Sequence, residues 1–153
     1  MEYSPEEVVA AATAAAARIS DIVRRTDLDY SEAFSRASGA EVFLKRENRQ
    51  LTGSFKFRGT SNRLATLTDE QRNRGCVAAS SGNHGAAVAC AMQRLQTGGV
   101  IFVPEQTSTA KVEAIQSYGG DVQFFGTDGL DTEQHARQYA EQNGMYYLSP
   151  YND

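Results

Sequence analysis

The 153-residue sequence lacks the features of a membrane or nucleic-acid-binding protein. Its longest apolar-looking stretch, VVAAATAAAA at residues 8–17, is too short to cross a bilayer. Glu6 and Glu7 precede it where a secretory signal would carry basic residues. Fifteen Lys and Arg against nineteen Asp and Glu give a net charge of -4, which argues against a nucleic-acid partner. We therefore expect a cytoplasmic protein with neither a membrane nor a nucleic-acid partner.

Cysteine and lysine are also scarce. Cys76 and Cys90 have apolar neighbours and no CxxC spacing, so we predict two small core residues, with a disulfide or metal site as the lesser alternative. Lys45, Lys56 and Lys111 are the only lysines, so a reactive amine has three candidates. The sequence contains no GxGxxG, no P-loop and no nucleophile elbow.

The sequence does contain a regular alternation of strands and helices after residue 75. Four apolar segments, CVAAS, VIFV, VQFF and MYYL, are separated by three helical patterns that end in glycines or asparagine. Crossovers of this length favour parallel pairing. We therefore predict the α/β class: an open parallel sheet with helices on both faces. Hydrophobic content of 41% and charged content of 22% are those of a globular chain.

The first part of the sequence predicts separate helices and one strand. Ser4 and Glu7 form a capping-box pattern that opens a helix, one face of which, from Val8 onward, has the spacing of a buried face. A short helix should end near Gly39, and EVFLK reads as a strand. Further on, Ser54 is the predicted cap of a helix that runs to about residue 67, and Thr68 and Gln71 repeat the capping box.

The loop SSGNHG, residues 80–85, lies where ligands bind in open α/β sheets, after a strand and before a helix. Its glycines permit close backbone approach, and N–H groups at a helix start favour a carboxylate or phosphate. A strand–helix turn that is merely rich in capping residues is an equally good interpretation of this loop alone.

Lys56 stands between Phe55 and Phe57 in the first turn of the helix predicted after Ser54. The helix dipole and burial of the two rings would both favour the neutral amine, which is the form that attacks carbonyl groups. The alternative is a surface lysine whose stem rests on an aromatic ring, and this stretch by itself favours that alternative.

Together, LKRENRQLTGSFKFRG and ASSGNHG resemble the fold-type II pyridoxal-phosphate enzymes, in particular the serine/threonine dehydratase and serine racemase group. Two later stretches, VIFVPEQTSTAKVEAIQSYGGDVQFFG and YYLSPYND, are similar to the same group. The resemblance implies pyridoxal 5'-phosphate as cofactor, held as a Schiff base by Lys56, which would also move the substrate's α-proton. It implies that Phe55 packs on the cofactor ring and that Asn83 bonds the ring hydroxyl oxygen. Ser81 would be an acid/base on the face opposite Lys56. The predicted cradle of the substrate carboxylate is Ser80, Ser81, Gly82, Asn83 and His84.

The resemblance also implies the division of the chain and its activity. Residues 1–53 would belong to an incomplete large domain, 54–149 would form the small α/β domain, and 150–153 would begin the return to the large domain. The implied reaction is deamination (dehydration) or racemisation of serine or threonine. The family's glycine-rich phosphate-binding loop lies in a later segment, so we expect a truncated chain, inactive alone, that needs a homo-oligomer or a missing C-terminal half.

Two other interpretations stay open. The chain could be a non-catalytic, freestanding small-domain protein that binds an amino acid or a protein partner. A metal site is the weaker possibility, because four ligand-type side chains follow one another without a recognised spacing: Asp128, Asp131, Glu133 and His135. Acidic residues stabilised at a helix start explain that group better.

Overall fold

The computed structural model describes residues 3–151, which begin with a solvent-exposed helix. Helix α1, Pro5–Arg18, has the predicted capping box between Ser4 and Glu7. The predicted buried face is found only beyond the end of α1: no residue of α1 itself is buried and Val8 is 54% exposed, whereas Ile19 is buried and Ile22 and Val23 pack against the core. Caps rather than packing define this helix, because its contact with the rest of the chain is confined to its end, where Arg18 donates to Asn62.

A small antiparallel unit follows α1. Strand β1, Leu28–Tyr30, pairs with β2, Phe43–Lys45, and helix α2, Glu32–Ser38, connects them. Helix α2 ends at Gly39, whose φ of 73° is left-handed, as the predicted stop requires. The sequence did not predict β1, because a three-residue strand with an aspartate at its centre carries almost no periodic signal. A 3₁₀ turn, Glu47–Arg49, leads out of this unit.

Helix α3, Lys56–Thr66, begins two residues after the predicted cap. The N-cap position belongs to Phe55, whereas Ser54 lies one residue earlier and its Oγ accepts from the Lys56 N–H at 3.3 Å. Phe57 is completely buried and anchors the start of α3 in the core. Lys56 is therefore fixed as the first residue of a helix that the core holds in place.

The remaining elements form the predicted four-stranded sheet, in the order β5-β4-β3-β6 with all strands parallel. Their bounds are Asp69–Arg74 (α4), Cys76–Ala79 (β3), Asn83–Arg94 (α5), Gly99–Val103 (β4), Thr109–Gln116 (α6), Asp121–Phe124 (β5), Gly129–Gln142 (α7) and Tyr146–Tyr147 (β6).

Alternate residues of the central strands face opposite layers of helices, as the pleat requires. Ala78 and Ile101 pack with the side of the sheet that carries α3, α5 and α6. Val77, Val100 and Phe102 pack with Ala136 and Ala140 of α7 on the other side. The structure thus confirms helices on both faces.

Both cysteines are buried in the helix-covered core and form no disulfide, as predicted. Burial raises the pKa of the Cys90 thiol above its ordinary value, which keeps it protonated and unreactive. Within residues 3–151 no helix is both long enough and apolar enough to span a bilayer.

Candidate functional site

A cavity of about 550 Å³ lies at the carboxyl ends of strands β3 and β4. One wall is the loop of residues 80–84, and Lys56 lines the same space. The first turn of α7 forms a second wall, and Pro104, Pro150 and Tyr151 also contribute to the lining. The structure therefore places the two stretches that the sequence singled out around one cavity.

The 80–84 loop reaches this cavity through a very tight turn between strand and helix. The Ser80 N–H still extends the ladder by donating to Phe102 O at 3.1 Å, and Ser80 Oγ then accepts from the Gly82 N–H at 3.2 Å. A Cβ on Gly85 would lie 2.2 Å from Ser80 O, so the turn requires glycine there. Among the described residues, no side chain caps α5, which leaves the N–H groups of its first turn directed at the cavity edge.

The Lys56 amine has one hydrogen bond and two aromatic neighbours. Its Nζ donates to Pro150 O at 2.8 Å and lies 5.8 Å from the Tyr151 ring centroid. The Phe55 ring centroid is 5.5 Å away. Phe57 is buried but Phe55 is 62% exposed, so only one of the two flanking rings is part of the core.

His84 joins the loop to the end of the sheet. Its side chain is buried, and Nε2 lies 3.2 Å from Leu148 O. Phe55 is the one predicted site residue that does not line the large cavity. It lines a second space of about 170 Å³ instead, and Lys56 and His84 lie on the border between the two spaces.

Sequence reasoning missed the wall contributed by α7. Leu130, Thr132 and Glu133 line the large cavity from the start of this helix. The position of α7 in the sequence was the available signal for this wall. The helix follows β5, and the carboxyl end of β5 lies at the same sheet edge as that of β3.

The acidic group at the start of α7 has a structural explanation. Asp128 is the N-cap of the helix, and its Oδ1 accepts from the N–H groups of Leu130 at 2.8 Å and Asp131 at 3.0 Å. His135 stacks on Phe125 with 3.6 Å between ring centroids. Across residues 3–151, no three His, Cys, Asp or Glu side chains converge as metal ligands would.

The family model for pyridoxal-phosphate dependent enzymes matches residues 19–153, and the chain belongs to that family. It is 42% identical over 140 residues to the catabolic L-threonine dehydratase TdcB of Staphylococcus aureus, covering 91% of this chain and 40% of the relative. It is also 42% identical to the L-threo-3-hydroxyaspartate ammonia-lyase of a Pseudomonas species, covering 90% of this chain and 43% of that one. The structure of maize serine racemase superposes with a TM-score of 0.85 at 35% identity, over 92% of this chain and 43% of the racemase. The chain thus spans about two fifths of the length of these relatives.

The residues around the large cavity fit the family's cofactor. The volume lies within the roughly 300–1,000 Å³ of small-molecule sites. Lys56 supplies an amine, and the helix start supplies N–H donors. At Gly82 an added Cβ would meet nothing nearer than Ser80 Oγ at 4.0 Å, so a ligand can approach the backbone of the loop closely.

Proposed function

We propose that this chain is the lysine-bearing part of a pyridoxal-phosphate-dependent enzyme that deaminates (dehydrates) or racemises serine or threonine. The observation that carries the proposal is that the Lys56 amine and the 80–84 loop line one cavity. The proposal includes the division into residues 1–53 of a large domain, the small domain 54–149, and a return at 150–153. The remainder of the large domain would be sequence that matches the uncovered three fifths of the relatives.

Lys56 and Ser81 are the proposed proton-moving groups. Bound pyridoxal phosphate would act as an electron sink for charge that develops at the substrate's α-carbon. Lys56 would give up its bond to Pro150 O, hold the cofactor, and remove or return the α-proton. Ser81 lies on the loop wall of the cavity and would handle the proton on the other face, which racemisation needs and elimination does not.

The loop and Phe55 are the proposed binding groups. The substrate carboxylate would accept hydrogen bonds from the residues Ser80, Ser81, Gly82, Asn83 and His84, where the start of α5 favours negative charge. The Asn83 side chain would bond the ring hydroxyl oxygen of the cofactor. Phe55, exposed beside Lys56 on the border of the second space, would bury its ring against the cofactor.

We also propose that the partner is a small amino acid and that the chain associates with a second copy or with the missing part of the fold. The exposed apolar side chains of β1 and β2 support an association. A cytoplasmic location agrees with two buried cysteines that form no disulfide.

A non-catalytic module that binds an amino acid is the second candidate. One observation favours it: the Lys56 amine is engaged by Pro150 O rather than free in the cavity. A module of this kind would keep the loop's carboxylate-binding function but would have no need of a reactive amine.

Covalent capture of the cofactor distinguishes the two candidates. We expect the chain mixed with pyridoxal phosphate to show a visible absorption band, and borohydride to fix the label on Lys56, because this amine alone lies on the large cavity among the three lysines. The Lys56→Ala variant should lose both band and label. Lys111→Ala, which removes an exposed amine of α6, should retain them. Label on Lys45 or Lys111, or no label at all, favours the binding module.

Product assays separate the two reactions within the proposal. Pyruvate from serine or 2-oxobutyrate from threonine indicates elimination, and D-serine indicates racemisation. Because Ser81 is needed for only one of them, Ser81→Ala should reduce D-serine formation more than 2-oxo-acid formation.

A further inference from the structure

The large cavity has two walls of opposite hydrogen-bonding character. On the loop side, the first turn of α5 offers N–H donors, and Ser80 and Ser81 add hydroxyl groups. On the α7 side, the lining consists of Gly129, Leu130, Thr132 and Glu133. This second wall determines which amino-acid side chains the cavity accepts when the loop holds the α-carboxylate.

Glu133 presents an unpartnered carboxylate oxygen at the α7 wall. Arg137 donates from Nε at 3.0 Å and from Nη2 at 2.7 Å, and both bonds fall on Oε1. Within the part of the chain that the structure describes, Oε2 has no hydrogen-bond partner. Arg137 itself lies over the Tyr147 ring, 4.3 Å from the centroid, and does not line the cavity.

Among the described residues, the polar side chains at the start of α7 have no donor to spare. Asp128 Oδ1 takes the N–H groups of Leu130 and Asp131. The Thr132 hydroxyl donates within the turn, where it lies 2.6 Å from Asp128 O and 2.8 Å from Phe125 O. A ligand carboxylate at this wall would therefore lose its hydration without gaining a side-chain donor.

We propose that Glu133 is a specificity-determining residue: it makes the cavity selective for amino acids with neutral or cationic side chains and against acidic ones. The inference rests on the proposed function, which places the substrate's α-carboxylate at the 80–84 loop. With that end fixed, the side chain of the amino acid points across the cavity toward Glu133. A hydroxyl or ammonium group can donate to Oε2, whereas a carboxylate is repelled by it.

Asparagine and aspartate test this selectivity, because the two have nearly the same shape and differ in side-chain charge. We would titrate the ¹⁵N-labelled chain with each L-amino acid and follow the amide signals of Ser81, Gly82 and Asn83. Because Glu133 is partly exposed and ion-paired, we expect about three- to tenfold tighter binding of asparagine. Glu133→Gln should bring the ratio of the two dissociation constants close to one, mainly through tighter aspartate binding.

Glu141→Gln is the matched control, since it makes the same substitution on the same helix but outside the cavity lining. This variant should keep the wild-type ratio, and the amide spectra of both variants report that they are folded. Equal affinities in the wild type, or a ratio that Glu133→Gln leaves unchanged, overturn the inference. If neither amino acid moves the loop signals, the inference fails together with the proposed substrate site, while label on Lys56 would still support the proposed cofactor site.

Discussion

Gly85 is the residue on which the shape of the site depends most directly. An added Cβ would lie 2.2 Å from Ser80 O and 3.0 Å from Ile115 Cδ1, and neither backbone nor core can move far enough to admit it. We expect Gly85→Ala to lower the free energy of unfolding by about 3 kcal/mol, which urea denaturation would measure.

Gly59, inside α3, provides the control for Gly85. Nothing lies within 4 Å of its would-be Cβ, so Gly59→Ala should raise stability by about 0.5–1 kcal/mol through helix propensity alone. If Gly85→Ala and Gly59→Ala change the free energy of unfolding by the same amount, the close approach to Ser80 O is not the cause of the loss in Gly85→Ala.

At the scale of the elements, a partly buried ion pair between Arg58 and Glu47 joins the 3₁₀ turn to α3. Arg58 donates to both carboxylate oxygens of Glu47 at 2.8 Å, and Thr26 donates to the same carboxylate. The hydrogen bonds from Arg58 are the main reason that the pKa of Glu47 lies below its ordinary value, against the opposing effect of partial burial. This pair holds the N-terminal segment against the helix that carries Lys56.

The depressed pKa of Glu47 determines a pH dependence. The pair's stabilisation is fully present above the unfolded pKa near 4.5 and is lost as pH falls through the lower folded pKa. We expect the free energy of unfolding to fall below about pH 5, and Glu47→Gln to flatten this fall and cost about 1 kcal/mol at neutral pH. Chemical denaturation at several pH values measures both effects.

Glu32→Gln serves as the comparison for Glu47. It removes a carboxylate from an exposed i,i+4 pair with Arg36, which is worth only about 0.3–0.5 kcal/mol. An identical acid profile for the two variants would show that the Arg58 bonds do not account for the pH dependence.

For the whole molecule, the apolar surface of the β1–β2 unit is the most consequential feature. Leu28, Tyr30 and Phe43 share one face of the pair, all three are more than half exposed, and the rings of Tyr30 and Phe43 are in contact at 5.5 Å. Exposed apolar groups that adjoin in this way mark an interaction surface. We expect concentration-dependent self-association in sedimentation experiments, and Phe43→Glu should shift the chain toward monomer.

Phe124→Glu tests whether this surface is specific. Phe124 is about as exposed as Phe43 but lies on the edge strand β5 of the other sheet. This variant should associate as the wild type does. A monomeric wild type at every concentration, or dissociation by Phe124→Glu alone, would contradict the role of the β1–β2 surface.

Predictions from the sequence succeeded where the signal is local. The capping boxes at Ser4 and Thr68, the left-handed stop at Gly39 and the four parallel strands all follow from side chains a few residues apart. They failed where burial depends on distant partners. Val8 has helical spacing but is more than half exposed, and Phe55 has the same chemistry as Phe57 but the opposite exposure.

The sequence by itself determined the class of fold, because periodicity, caps and glycines act over a single turn or strand, and its resemblance to a known family singled out the two stretches around Lys56 and residues 80–84. The tertiary structure alone decided that Lys56 bonds Pro150 O, ninety-four residues away in sequence, and that Glu133 lines the same cavity as the 80–84 loop. The physical reason is that a parallel sheet gathers the ends of separate strands at one edge, and no local pattern records which distant side chains meet there.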